Sequence, residues 1–388
     1  MTTTDTSKYR EFLDLYLLGS PKDNYKAAKD LKSVNLPVLS QKDVLDVCNE
    51  ALKLFKAEPS CLTLSSPITI IGDVHGHILD LFRVLNTFGL PQNRKYLFLG
   101  DLVDRGEFSI ETVLIVFLMK IIWPQNVQII RGNHEFFYLC SQGGFSAQIE
   151  EVYYGNELIE AFMTVFSYIP LAAIIDQKML CVHGGIGPSL TNVTQLNQIK
   201  RPITDFGDDL IDSLLWSDPS LEVSFYEASN RGTGYLFGEE ALKTFLKSNG
   251  LTTLIRGHEC VIDGVEPQFN GLLYTVFGAS NYCGLLPNCA AAFDVISPGN
   301  FEIKKFIPLP YLRREDVIFT HVTPIRQVRS KLRKSMQVSQ SVRALPIVFP
   351  DEPLLPPLAV PRVNPSYTLR NRLKKVASMT RMSGKEII

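Results

Sequence analysis

Several things are missing from this chain, and each absence excludes something. Its seven cysteines are an odd number and include no CxxC pair, so a disulfide framework is not expected and a reducing, intracellular setting fits better. The N-terminus, MTTTDTSKYREF, has no apolar core of the kind that directs secretion, so a cytoplasmic or nuclear location is expected. The longest apolar stretch, Thr112–Trp123, is interrupted by Lys120 and too short to span a bilayer. It is expected to form a buried helix, and no transmembrane segment is expected. Strong net charge is also missing: the 388 residues sum to −1, which argues against a nucleic-acid-binding body.

The near-zero sum hides an asymmetry. Residues 311–388 carry 15 Lys+Arg against 5 Asp+Glu, with eight Pro and one Gly, while the preceding residues are net acidic. The expected organisation is a frayed terminus over residues 1–8, one large domain over residues 9–308 and a basic, largely irregular tail over residues 309–388. Within the tail, Ile325, Val328, Leu332 and Met336, and again Leu369, Leu373, Val376 and Met379, recur at helical spacing among basic residues. Such stretches suit a solvated tail without effect on activity, docking in cis on the acidic body, a partner protein, an anionic membrane or nuclear import.

The main body alternates. Tyr9–Leu18, Lys42–Phe55, Ile78–Phe88 and Ile110–Ile122 have helical apolar spacing, whereas ITIIGD, KYLFLGD, VQIIRGN, MLCVHGG and TLIRGH are short apolar runs entering glycine-bearing turns. Leu272–Tyr274, Ala290–Asp294 and Phe301–Phe306 read as later strands. Strands alternating with helices make an α/β protein.

The turns carry the chemistry. Asp73 and His75 lie in GDVHG, Asp101 in GDLVDRG, Asn133 and His134 in RGNHE, His183 in VHGG and His258 in RGH. One histidine beside a glycine is usually structural. Here four of the six histidines sit in such strand-end turns, which points to a common site. Mixed nitrogen and oxygen donors without thiolate suit two first-row metals such as Mn, Fe or Zn. Two neighbouring metals activate water and clamp an in-line phosphoryl displacement. Arg105 and Arg231 offer the planar, permanently charged donors that phosphate needs. His77 reads as lying behind the ligands or on the surface, His321 as solvated, Cys181 as core and Cys283 as near the site without being a nucleophile.

The ordered set GDVHG, GDLVDRG, RGNHE, HGG, LLWSDP, NRGTGYLFG, RGH and GASNYCG resembles the phosphoprotein phosphatase family, which includes the type-1, type-2A and calcineurin catalytic subunits. The resemblance covers about residues 40–308. It implies a central β-sandwich of mixed sheets flanked by helices, and serine/threonine-protein phosphatase activity by metal-activated hydroxide without a phosphoenzyme. It implies Asp73, His75 and Asp101 on one metal, with Asp101 shared by a second metal that Asn133, His183 and His258 complete. It further implies His134 as general acid oriented by Asp104, with Arg105, Asn133, Arg231 and Tyr282 around the phosphate. Phosphoprotein substrates and regulatory subunits follow from the same resemblance.

The sequence departs from the family pattern at His77, where Gln is usual, at Phe136 for Cys, and at Ser280 for Pro. Gly143 stands where many members have Tyr, Ser141 where Arg is frequent, and LLPNCAAAF diverges from the usual acidic segment. None of these removes a metal ligand or a phosphate arginine. Two other readings fit the same pattern: a small-molecule phosphoesterase acting on dinucleoside polyphosphates, and a catalytically silent scaffold.

Overall fold

The apolar runs become strands because they are covered on both faces. The computed structural model describes residues 5–18 and 34–322. Its strands are β1 (Asn35–Val38), β2 (Cys61–Leu64), β3 (Ile68–Ile71), β4 (Tyr96–Phe98), β5 (Val127–Ile129), β6 (Ala172–Ile175), β7 (Met179–Val182) and β8 (Asp218–Pro219). They continue as β9 (Tyr226–Ala228), β10 (Tyr235–Phe237), β11 (Thr253–Arg256), β12 (Val265–Gln268), β13 (Leu273–Val276), β14 (Ala290–Ser297), β15 (Asn300–Phe306) and β16 (Ile318–His321). One mixed sheet has the order β15-β14-β3-β4-β5 and the other β12-β13-β11-β7-β6-β2.

The twofold side-chain alternation of the strands sorts the core into layers. Ile68, Ile70, Leu97, Leu99, Met179, Cys181, Ala291 and Phe293 meet in one apolar cluster between the sheets, so Cys181 is core as expected. The other faces of the same strands present Ile71, Tyr96, Phe98, Ala290 and Ala292 to a layer of helices. Leu180, Val182, Leu254 and Leu273 pack in a separate cluster with residues of helices Asp209–Trp216 and Glu239–Ser248. The result is a β-sandwich flanked by helices, as expected.

The helices at Gln41–Ala57, Ile78–Phe88 and Ser109–Ile122 match their sequence signals. The helix Ser109–Ile122 is buried along its entire length. Lys120 is tolerated there because its ammonium group pairs with Glu58 and donates to Gln128 Oε1 at 2.8 Å and the Pro124 carbonyl at 3.2 Å. No helix among the described residues is long and apolar enough to cross a membrane.

Both expected boundaries are corrected. The first helix begins at Ser7 rather than after residue 8, and Lys8 is tied to Asp43 and Asp46 at 2.8 and 2.7 Å. At the other end, the chain does not leave the body at Pro308. Leu309, Leu312 and Val317 are buried in the helix-side core, and β16 pairs in parallel with β1. His321 is exposed as expected, but it lies in this strand rather than in a free tail. Proline content and basic charge masked the few apolar anchors of this segment. The amphipathic stretches beyond residue 322 lie outside the described residues.

Arg314 fastens the segment after β15. Its guanidinium makes a paired contact with the buried Glu111 carboxylate at 2.8 and 2.9 Å, and its backbone N–H donates to Glu107 at 2.8 Å. Arg314→Ala leaves Glu111 buried without its partner, so it is expected to lower the unfolding free energy by about 3 kcal/mol. Urea denaturation of the full chain measures this. A change below about 0.5 kcal/mol, the scale of an ordinary surface substitution, would mean that the segment is only loosely held.

Candidate active site

The site forms where the parallel strands end. Asp73 and His75 follow β3, Asp101 and Asp104 follow β4, Asn133 and His134 follow β5, His183 follows β7 and His258 follows β11. β3, β4 and β5 run parallel, as do β7 and β11, so their C-terminal turns converge at one edge of the sandwich. The backbone there is unusual. His75, Asp101, Asp104, Arg105 and His258 all have φ between 44° and 70°, a region that L-residues enter at a cost.

Asp101 stands at the centre, only 1% exposed. Its Oδ2 lies 3.3 Å from His75 Nε2 and 3.4 Å from His183 Nε2. Burial works to raise its pKa, but the imidazoles of His183, His134 and His75 hold the carboxyl well below the usual carboxylate range. Asp73 Oδ2 is 3.9 Å from His75 Nε2, and its Oδ1 accepts the His258 backbone N–H at 2.9 Å.

The histidines are oriented from behind. His75 Nδ1 lies 2.7 Å from the Val103 carbonyl and His183 Nδ1 lies 2.9 Å from the Leu99 carbonyl. Both Nδ1 atoms must therefore donate, which turns each Nε2 inward. Around His183 Nε2 lie Asn133 Oδ1 at 3.0 Å and His258 Nδ1 at 3.2 Å, in addition to Asp101. Burial alone would lower the His183 pKa, but Asp101 and Asp73 push it up to about 9. Inward-facing imidazole nitrogens beside two carboxylates also make a fitting cage for a cation.

Two groups of side chains bring ligand atoms within 4.8 Å of one another: His75, Asp101 and His134, and Asp101, His183 and His258. Asp101 belongs to both, and the first group holds His134, expected as an acid rather than a ligand, where Asp73 was expected. Asn133 and Asp73 lie beside them, at 3.0 Å from His183 Nε2 and 3.9 Å from His75 Nε2. The donor set is imidazole, carboxylate and amide oxygen, which suits first-row divalent metals.

His134 differs from the other histidines. Its Nδ1 is 2.7 Å from Asp104 Oδ2, and its backbone N–H donates to Asp101 Oδ1 at 3.0 Å. The other Asp104 oxygen accepts the Phe145 N–H at 2.9 Å. Gly143 packs so tightly here that a Cβ would come within 2.3 Å of the Asp104 carboxylate, which explains why no side chain stands at this position.

The structure also locates the phosphate candidates. Arg105 is exposed, and its backbone N–H donates to the Gly143 carbonyl at 3.0 Å. Arg231 Nε donates to Asp218 Oδ2 at 2.5 Å, and buried Arg256 reaches the other Asp218 oxygen at 2.9 Å. Burial first, then the charge of Arg231, holds His258 well below the usual imidazole range. The Tyr282 ring lies 5.5 Å from that of His75. Burial pushes the Cys283 thiol up to about 11 with Arg105 pulling the other way, which agrees with Cys283 being near the site but not a nucleophile.

Two functional contacts were not assigned from sequence. Glu135 accepts the backbone N–H groups of Asp101, Leu102 and Gly132 at 2.8 to 2.9 Å, locking the β4 and β5 turns together. The adjacent E in RGNHE was the available signal. Phe136, the departure from the family's cysteine, stacks on Phe206 at 4.1 Å and lies under the Arg131 guanidinium at 3.4 Å.

The chain is similar to known proteins. Residues 66–261 match the family model described as calcineurin-like phosphoesterase. A protein serine/threonine phosphatase from Saccharomyces cerevisiae, described as similar to human phosphatase PP5, is 31% identical with a TM-score of 0.65. That match covers 69% of this chain and 90% of the other. A cold-active protein-tyrosine phosphatase of a psychrophilic Shewanella is 16% identical (TM-score 0.47, 65% and 84% covered). A metallophosphoesterase from Sphaerobacter thermophilus is 14% identical (TM-score 0.34, 69% and 93% covered). The chain belongs to the calcineurin-like metallophosphoesterases and, within them, to the phosphoprotein phosphatase family. It is a phosphoesterase-type hydrolase with side chains that could hold metal.

Asp101→Asn removes the charge shared by both groups. Metal content of the purified protein, measured by elemental mass spectrometry, is expected to drop at both sites together. Loss of one equivalent with the other retained would show that Asp101 serves a single ion.

Proposed function

We propose that the protein hydrolyses phosphoserine and phosphothreonine in proteins. The Asp104–His134 pair is the observation that carries this reading. A serine or threonine alkoxide is a poor leaving group and needs a proton as the P–O bond breaks. A diphosphate leaving group, as from a dinucleoside polyphosphate, does not. A histidine held by a buried carboxylate beside the ligand cluster is what the first chemistry calls for. The similarity to the yeast serine/threonine phosphatase supports the same choice.

In this reading, Asp73, His75, Asp101, Asn133, His183 and His258 would hold metal ions, which would acidify a water and neutralise phosphate charge. The remaining steps belong to the chain. Arg105, Arg231 and Asn133 orient the phosphate by charge-assisted hydrogen bonds, and Tyr282 covers it. Asp104 accepts from His134 Nδ1–H, which leaves Nε2 to deliver its proton to the departing oxygen. Asp218 fixes Arg231 from behind and is itself held by Arg256. Water carries the attack, so no protein nucleophile is needed. Regulatory subunits, or the basic segment beyond residue 322 acting in cis, are the proposed partners.

Turnover of phosphoserine peptides set against dinucleoside tetraphosphate tests the substrate class. The peptides are expected to be preferred, and preference for the nucleotide would replace this reading with the small-molecule one. His134→Asn is expected to keep its metal and lose about 100-fold or more in kcat on alkyl phosphates. The loss should be clearly smaller on aryl phosphates, whose leaving groups need little protonation. Equal losses on both would remove His134 from the role of acid.

Arg231→Ala is expected to retain metal and to lower kcat/KM roughly 10- to 150-fold, the cost of a charge-assisted hydrogen bond. Inhibition by inorganic phosphate should weaken in parallel. Undiminished phosphate inhibition would show that Arg231 does not contact the substrate.

A further inference from the structure

We propose that His77 is a positioning residue: a buried strut that fixes the Tyr282 loop against the turn carrying His75, and so sets where the Tyr282 ring lies over the site. The proposal rests on the phosphoesterase reading of that site.

His77 is 9% exposed and begins the helix Ile78–Phe88. Its neighbours dictate its tautomer. Nδ1 faces two backbone acceptors, the His75 carbonyl at 2.9 Å and the Val74 carbonyl at 3.2 Å, so Nδ1 carries the hydrogen and donates. Nε2 is 3.2 Å from the backbone nitrogen of Cys283, so it presents a lone pair and accepts. One neutral ring thus bridges two segments more than 200 positions apart in sequence. Its face stacks on Tyr282, with centroids 5.6 Å apart and planes at 30°, while the Tyr311 ring packs edge-on at 5.7 Å.

The loop it holds needs holding. Asn281 and Cys283 both have positive φ, at 46° and 57°, and Tyr282 lies between them. Other contacts fix the rest of the loop. Ser280 N–H donates to Asp80 at 2.7 Å, Asn281 Nδ2 to the Leu309 carbonyl at 2.9 Å, and Tyr282 N–H to Asn288 Oδ1 at 2.9 Å. The Gly278 N–H also reaches this turn, donating to the Asp73 carbonyl at 3.0 Å, but His77 is the side chain that joins the turn to the far part of the loop by a hydrogen bond at each end. A proline at position 280 would have no N–H to give Asp80, so Ser280 belongs to the same fastening.

Glutamine offers an amide donor and an acceptor over a similar reach, whereas leucine fills similar space with neither. The test compares the parent, His77→Gln, His77→Leu, Tyr282→Leu and the His77→Leu/Tyr282→Leu double variant. Metal content, p-nitrophenyl phosphate and phosphoserine-peptide kinetics, and amide exchange of residues 278–290 are measured on the full chain. His77→Leu is expected to keep its metal, to lose about 10- to 100-fold in kcat/KM, as for one or two lost positioning bonds, and to exchange the Cys283 amide faster. His77→Gln is expected to restore both readouts to near parental values. The double variant should be no worse than Tyr282→Leu, because both changes act through one ring.

Parental behaviour of His77→Leu, equal impairment of His77→Gln and His77→Leu, or additive losses in the double variant would each overturn the proposal. If His77→Leu fails to fold, the glutamine variant decides, since it must match the parent in exchange and kinetics. If the parent turns over no phosphoester at all, the functional reading fails, while the exchange data still decide whether His77 holds the loop.

Discussion

A buried carboxylate balanced only by the imidazoles around it is the constraint around which this molecule is arranged. Asp101 sits almost fully out of water, where an isolated ion costs several kcal/mol. It is compensated by the His134 backbone N–H and by imidazoles presented from turns after different strands. Those turns are brought together only because two sheets pack face to face and their parallel strands end at the same edge. The Glu135 carboxylate serves the same end from outside, joining the amides of the β4 and β5 turns so that Asp101 cannot move independently of His134.

The same arrangement accounts for the strained backbone. Positive φ at His75, Asp101, Asp104, Arg105 and His258 is disfavoured by of order 1 kcal/mol or more per residue. Close packing beneath sustains it. The layer of Ile68, Ile70, Leu97, Leu99, Cys181 and Phe293 leaves the strands no freedom to relax, and each turn inherits a fixed starting point. Local distortion at the rim and regular packing inside are two sides of one energy balance.

The elements most legible in the sequence were those buried on both faces. ITII, YLF, VQI and MLCV are apolar throughout because each strand faces a core on either side, and their ends announce the site. The proposed metal-ligand set was legible for the same reason: each of its residues adjoins a strand end. The segment after β15 was not, because Leu309, Leu312 and Val317 follow no strand or helix period and lie among prolines and arginines. Glu135 and His77 were recognisable as polar residues near the motifs. Their work depends on backbone amides 34 and 206 positions away, which no local pattern encodes.

The fit of Gly143 against Asp104 bears on how this site can change over time. On this backbone a side chain at that position would meet the carboxylate that orients His134, so one could enter only if the turn shifted. Tyr138, 63% exposed on the same helix, and exposed Ser141 are under no such restriction. Residues on the outer face of that one helix can therefore be exchanged without disturbing the contact between Asp104 and His134.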